Sequence, residues 1–106
     1  MARTIVWTKD AAADLASITE YISRDSEFYA KAVTRRIFTI VDNLVDFPFS
    51  GRVVLGVGSL DANLREKVVY SYRIIYRVKD DSVTVLAIIH CRQDFDAKMR
   101  DSLDED

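Results

Sequence analysis

Apolar residues recur at helical spacing in two consecutive stretches of the chain's first half. The first stretch predicts an amphipathic helix over residues 9–24, and its apolar positions are Ala11, Leu15, Ile18 and Ile22. The second stretch predicts another helix that ends before Pro48, with apolar positions Ala30, Val33, Ile37, Ile40, Val41 and Leu44. Thr8 is the expected N-cap of the first helix, and Asp25 or Ser26 that of the second. Because only a few residues join the helices, they are expected to pack as an antiparallel hairpin.

Elsewhere the pattern changes to the short β-branched and aromatic runs that are typical of strands. Residues 3–7 predict a first strand, and the second half of the chain predicts three more, over Leu64–Tyr70, Tyr72–Lys79 and Val83–Cys91. Turn-forming residues at 79–82 join the last two as a hairpin. Between the helices and these strands, residues 47–63 hold the only proline and all three glycines, which predicts a loop with a short edge strand at residues 52–54.

This order predicts an α+β fold, β-α-α-β-β-β, in which the helix hairpin covers one face of a three-stranded antiparallel meander. With 106 residues, the chain is expected to be one domain over residues 1–106. A short helix from Asp94 is expected to precede an acidic tail at 96–106. The length and the order of elements therefore indicate a single small two-layer domain.

Residue counts remove several classes of chemistry. One cysteine, Cys91, excludes an internal disulfide, and with His90 as the only histidine a zinc site is not expected. The three glycines do not form a phosphate-binding or dinucleotide motif, so no cofactor is expected. No apolar run approaches the roughly 20 residues that cross a bilayer, so we expect a cytoplasmic protein with no membrane partner.

The formal net charge of −2 hides an uneven distribution. Residues 31–77 contain eight basic and four acidic side chains, whereas residues 78–106 contain four basic and eight acidic ones. Strand alternation places Arg73 and Arg77 on one face of their strand, and Arg65 and Lys67 on one face of theirs. We expect several of these basic side chains to converge on the sheet surface opposite the helices, ending near His90 and Arg92. Guanidinium groups there would hold phosphates or carboxylates, although solvated basic residues are the commoner outcome in such strands.

Several short motifs, taken in order, resemble the RelE/ParE toxin superfamily from Ile5 to about Phe95. The segments that carry the resemblance are Trp7-Thr8, Ala12…Asp14-Leu15…Ile18…Tyr21-Ile22, Leu44…Pro48…Gly51-Arg52, Leu64-Arg65-Glu66, Tyr72-Arg73-Ile74-Ile75-Tyr76-Arg77-Val78 and Ile88-Ile89-His90-Cys91-Arg92. The resemblance implies a small α+β toxin of a type II toxin–antitoxin pair, neutralised by an antitoxin that wraps around it.

The ParE-like branch of the superfamily fits these motifs better than the RelE-like branch. It implies a toxin without enzymatic turnover, which binds DNA gyrase, stabilises the cleaved DNA complex and makes no direct contact with nucleic acid. Its target-contacting residues would be Arg65, Arg73, His90 and Arg92. Its partner would be a ParD-like antitoxin, which places an amphipathic helix against the helix hairpin.

Two alternatives stay open. In a RelE-like, ribosome-dependent mRNA endonuclease, Arg73, His90 and Arg92 would be catalytic, with Asp94 as a weaker proton carrier. In an inactive member, the chain would bind only its antitoxin. The acidic C-terminal residues depart from the basic character usual in this superfamily.

Overall fold

The computed structural model describes residues 3–54 and 61–92, which form a five-stranded sheet with two helices on one face. The elements in chain order are β1 (Thr4–Trp7), α1 (Lys9–Ser23), α2 (Glu27–Asn43), β2 (Arg52–Val53), β3 (Leu64–Val69), β4 (Tyr72–Val78) and β5 (Ser82–His90). This arrangement confirms the predicted α+β fold and its element order. The helix predicted from Asp94 and the acidic tail at 96–106 lie outside the described residues.

The strands are ordered β1-β5-β4-β3-β2 across the sheet. The three strands β3, β4 and β5 form the predicted antiparallel meander, and β2 adds to it as a two-residue edge strand. The first strand pairs in parallel with the last, with Thr4 opposite Ser82 and Trp7 opposite Val85. Hydrophobic alternation does not identify a strand's partner, so this parallel contact is decided only in the folded chain.

Both helices begin at hydroxyl caps. The Thr8 Oγ1 atom accepts a hydrogen bond from the Ala11 amide at 3.1 Å, and the Ser26 Oγ atom accepts one from the Tyr29 amide at 3.0 Å. The predicted cap at Thr8 is confirmed, and of the two residues predicted for the second cap it is Ser26 that has this role. These bonds satisfy first-turn amides that otherwise lack a partner.

The start of α1 continues the hydrogen bonding of β5 past the point where β1 ends. The Thr8 amide donates to the Val85 carbonyl at 3.1 Å, and the Thr8 hydroxyl donates to the Leu86 carbonyl at 3.2 Å. Six residues later, the Asp14 Oδ2 atom accepts from the Ile88 amide at 3.0 Å. The Thr8 and Asp14 side chains thereby fix α1 against β5 and satisfy the Leu86 carbonyl and the Ile88 amide, which lie beyond the last residue of β5 that β1 pairs with.

Apolar side chains pack on both faces of the sheet. On the helical face, Ile74 and Ile88 pack with Val33 and Ile37 of α2. On the opposite face, a second cluster is formed by Val54, Leu64, Ile75, Leu86, Ala87 and Ile89. A register shift between Ile75 and Tyr76 adds one residue to β5, as in a β-bulge, so the consecutive residues Leu86 and Ala87 both belong to this second cluster.

Candidate functional site

The basic residues predicted to share one surface lie on both faces of the sheet. Arg73 lies on the face opposite the helices, because it alternates with Ile74, which packs under α2. Arg65 pairs with Tyr76 and His90 pairs with Tyr72, and both partners belong to the helical face. The prediction of a common basic surface is therefore wrong for Arg65 and His90. Alternation determines which residues of one strand share a face. Only the register determines which face of the neighbouring strand lies on the same side of the sheet.

Arg73 is bound to a buried carboxylate. Its Nη2 atom lies 2.7 Å from Glu66 Oε2 and its Nε atom 3.1 Å from Glu66 Oε1, which is the two-pronged geometry that a guanidinium prefers. Glu66 is 3% exposed and Arg73 18% exposed. Arg73 is therefore held within the sheet face by an intramolecular ion pair.

Arg52 on the edge strand β2 completes this cluster. Its Nε and Nη2 atoms both donate to Glu66 Oε1, at 3.1 and 2.9 Å, yet its side chain is 72% exposed. Burial alone would raise the pKa of the Glu66 carboxyl, but hydrogen bonds from Arg73 and Arg52 outweigh it and hold that pKa below its ordinary value. Glu66 is thus a buried anion that organises two cations.

Because the pKa of Glu66 is lower in the folded chain than in the unfolded one, this carboxylate should stabilise the fold most above about pH 4.5. That contribution should disappear as the pH falls through the lowered pKa, since the unfolded chain then binds the proton more readily. Urea unfolding between pH 3 and 7 should show Glu66→Gln weakening the wild-type dependence on pH.

The dependence on pH should not vanish in Glu66→Gln, because the pKa of Asp61 is also lowered. Its largest cause is the hydrogen bond from the Asn63 amide, and the Arg77 guanidinium adds to it. Parallel stability curves for wild type and Glu66→Gln over this range would contradict the assignment to Glu66.

Arg65 is bound to the loop that precedes β2 and to the turn that precedes β3. Its Nε atom donates to the Ala62 carbonyl at 2.8 Å and its Nη1 atom to the Gly51 carbonyl at 3.0 Å, with the Phe49 carbonyl at 3.4 Å. The guanidinium carbon also lies 5.0 Å from the centre of the Phe49 ring. These contacts give Arg65 a structural task in shaping the loop.

Tyr76 joins the loop that precedes β2 to the core through hydrogen bonds of its side chain. Its buried hydroxyl donates to the Pro48 carbonyl at 2.8 Å and accepts from the Gly51 amide at 3.0 Å. Burial raises the pKa of this hydroxyl, which stays neutral and able to donate. A Cβ atom at Gly51 would lie 2.5 Å from this hydroxyl and 2.6 Å from the Glu66 carbonyl oxygen, so only glycine fits there.

His90 lies at the end of β5, beside a concavity of about 410 Å³ under α1. Its ring meets Tyr72 edge-on with centroids 5.5 Å apart, and its Nδ1 atom accepts from the Arg92 amide at 3.1 Å. Ser17, Ile18 and Tyr21 of α1 form the rest of the wall. Arg92 and Cys91 are exposed beyond the strand. Of the predicted site residues, His90 and Arg92 are therefore the two that the fold brings together.

A larger apolar groove lies on the other side of α1. It encloses about 790 Å³ between α1 and α2 and is lined by Trp7, Ala12, Leu15, Ala16, Thr19, Glu20, Ser23, Thr34 and Phe38. Trp7 and Phe38 form a tilted ring pair across one end, with centroids 5.6 Å apart. This groove has the size and the apolar lining of a site for a partner's helix.

Sequence reasoning did not assign roles to Glu66, Arg52 or Asp14, although all three lie in the motifs quoted above. Glu66 alternates with the buried Leu64 on one face of β3, and an acidic residue at such a strand position is the signal that pointed to a buried ion pair. No sequence signal identifies the bond from the Ile88 amide to Asp14, since it joins residues far apart in the chain.

The described ranges 3–54 and 61–92 hold no group of three or more His, Cys, Asp or Glu side chains placed to bind a metal ion. No helix within them is both long and apolar enough to cross a membrane.

Comparison with known proteins relates most of the chain to toxins. Residues 5–95 match the family described as the ParE toxin of the type II toxin–antitoxin system parDE. Toxin RelE2 of Caulobacter vibrioides is 38% identical over 87 residues, which cover 81% of this chain and 92% of that protein. Putative toxin Y4kP of Sinorhizobium fredii is 37% identical over 93 residues, covering 86% and 91%.

Among solved structures, the chromosomal ParDE toxin–antitoxin system from P. aeruginosa contains a chain with the same fold. The TM-score is 0.66 at 24% sequence identity, and the match covers 84% of this chain and 96% of that chain.

Proposed function

Because this chain belongs to the RelE/ParE superfamily and is a toxin of type II toxin–antitoxin systems, we propose that it acts in the ParE manner. It binds DNA gyrase as a protein ligand, stabilises the cleaved DNA complex and catalyses no reaction of its own. Its place of action is the cytoplasm, where gyrase works.

The separation of Arg73 from His90 is the observation that supports this proposal. A nuclease needs its proton carrier and its phosphate-binding cation on the same phosphate, with hydrogen bonds of about 2.6–3.2 Å. Here Arg73 is bound to Glu66 on one face of the sheet and His90 lies on the other. The set Arg73, His90 and Arg92 therefore does not meet around one scissile bond.

The end of β5 is the part of the surface that we assign to the target. His90 lies there beside Tyr72 and Tyr21 and is followed by the exposed Arg92, and aromatic and arginine side chains contribute most to binding energy at protein interfaces. In this proposal His90 and Arg92 contact gyrase, whereas Arg65 and Arg73 are held by contacts within the chain.

We assign the groove between α1 and α2 to the antitoxin. An amphipathic helix would fill it with apolar side chains against Leu15 and Phe38. Ala16 is an exposed residue that lines the groove, so Ala16→Trp should block this helix without reaching the end of β5.

Pulse labelling of DNA, RNA and protein synthesis after induction of this chain tests the proposal. DNA synthesis should fall first while protein synthesis persists, and purified chain should increase gyrase-linked DNA breaks. Arg92→Ala should weaken the arrest, whereas the matched change Arg24→Ala, in an exposed helical ion pair, should leave it unchanged. Co-expression of the neighbouring gene should relieve the wild-type arrest and fail to relieve that of Ala16→Trp.

A messenger-RNA endonuclease is the second candidate, supported by the name RelE2 of a 38% identical relative and by the placing of His90 between tyrosines. In that case protein synthesis would fall first, and His90→Ala would reduce RNA cleavage roughly 100-fold or more. An unchanged rate of all three syntheses would identify an inactive member that only binds its antitoxin.

A further inference from the structure

The Arg52–Glu66–Arg73 cluster has no task in the proposed contacts with gyrase. It lies on the sheet face opposite the helices, and therefore on the other side of the sheet from the apolar groove and from His90, although Arg73 pairs with Ile89 of β5. Two guanidinium groups share one carboxylate, so the cluster carries a net positive charge. The two cations differ greatly in exposure, with Arg73 at 18% and Arg52 at 72%.

Arg52 is fixed in place although it is exposed. Both Nε and Nη2 donate to the buried Glu66 Oε1 atom, while the side chain as a whole is 72% exposed. A free surface arginine must lose side-chain freedom when it binds, whereas this one has already lost it on folding. Glu66 therefore presents Arg52 as a preorganised donor.

We propose that this cluster binds a carboxylate-bearing peptide segment of a protein partner, with Arg52 as the contacting residue and Glu66 as the positioning residue. A guanidinium donates to a carboxylate in a planar, charge-assisted geometry. Val68, which is half exposed and pairs with Arg73 on β3, adds an apolar contact beside the cation. The partner segment thus carries an acidic side chain next to an apolar one.

A peptide fits this surface better than a nucleic acid does. Polyanion binding relies on several cations that each neutralise a phosphate, and the net charge of the whole chain is −2. In this cluster Glu66 neutralises one of two guanidinium groups, and only Arg52 is well exposed. One fixed donor suits one carboxylate.

The test uses the full chain with deca-glutamate and a ten-residue oligothymidylate as probes, at low ionic strength of about 20 mM. Arginine Nε–Hε signals in NMR spectra should locate deca-glutamate at Arg52. Arg52→Gln should weaken peptide binding by about tenfold or more, which is the effect expected for one charge-assisted contact. Arg36→Gln, which removes the same charge from an exposed position on α2, should change it by less than about twofold.

Arg52→Lys tests whether peptide binding depends on the position of the Arg52 donor groups or only on the positive charge. It keeps the charge but loses the planar fork that bonds Glu66, so its affinity should lie nearer to Arg52→Gln than to wild type. Equal losses in Arg52→Gln and Arg36→Gln, absence of peptide binding, or tighter binding of the oligothymidylate would each overturn the proposal. Because no gyrase or growth assay is involved, these results are independent of the proposed toxic activity.

Discussion

Arg73→Met should lower the free energy of unfolding by on the order of 3 kcal/mol, because it leaves Glu66 buried with half of its hydrogen bonds. Arg52 still donates to Glu66 Oε1 in this variant. The expected loss of unfolding free energy is therefore at the lower end of the range for removing one partner of a buried ion pair. Urea unfolding monitored by circular dichroism at pH 7 measures this loss, and the melting temperature should fall by roughly 10 °C or more.

The sign of the stability change that Glu66→Gln produces identifies why Arg73→Met is destabilising. Glu66→Gln should destabilise the wild-type chain, which loses its ion pairs, but it should stabilise Arg73→Met, in which it removes an underpaired buried charge. Arg24→Met is the matched control, since its pair with Glu20 is exposed on both sides and should be worth about 0.5 kcal/mol or less. If Glu66→Gln destabilises both backgrounds equally, the effect of Arg73 comes from lost packing and not from charge.

Gly51→Ala should destabilise the fold by about 3 kcal/mol, at the upper end for overpacking of a closed site. The added methyl group meets the Tyr76 hydroxyl at 2.5 Å and the Glu66 carbonyl oxygen at 2.6 Å, and neither is the end of a flexible chain. The hydroxyl is held by Pro48 and the carbonyl belongs to β3. Thermal and urea unfolding of the purified variant measure the loss.

A double-mutant cycle with Tyr76→Phe tests the stated contact. Tyr76→Phe alone should cost about 1–3 kcal/mol, because it leaves the Gly51 amide and the Pro48 carbonyl without their partner. The double variant should lose about 1 kcal/mol less than the sum of the two, since removal of the hydroxyl relieves one of the two close contacts. Strict additivity would show that the methyl group does not meet the hydroxyl.

These contacts change how loss of toxicity in arginine variants must be interpreted. Arg65 and Arg73 are engaged with the loop carbonyls and with Glu66, so their replacement is expected to weaken the fold as well as any contact with a target. Arg92 is exposed beyond β5 and tests the target surface more directly. Stability should be measured for each variant before a change in growth arrest is assigned to binding.

The sequence by itself determined the elements and their order. Spacings of three and four defined α1 and α2, hydroxyl residues marked their starts, and β-branched runs defined the strands. Each of these signals is local, because backbone geometry and capping involve residues within one or two turns. The motifs from Trp7 to Arg92 also sufficed to indicate the superfamily.

Only the tertiary structure decided which residues meet. The parallel pairing of β1 with β5, the bond from Ile88 to Asp14 and the register that separates Arg73 from His90 join positions distant in the chain. Strand alternation leaves open which face of one strand adjoins which face of the next. The register of β3 and β5 against β4 places Arg65 and His90 on the helical face. Long-range register depends on the packing of the whole core, and no local pattern contains it.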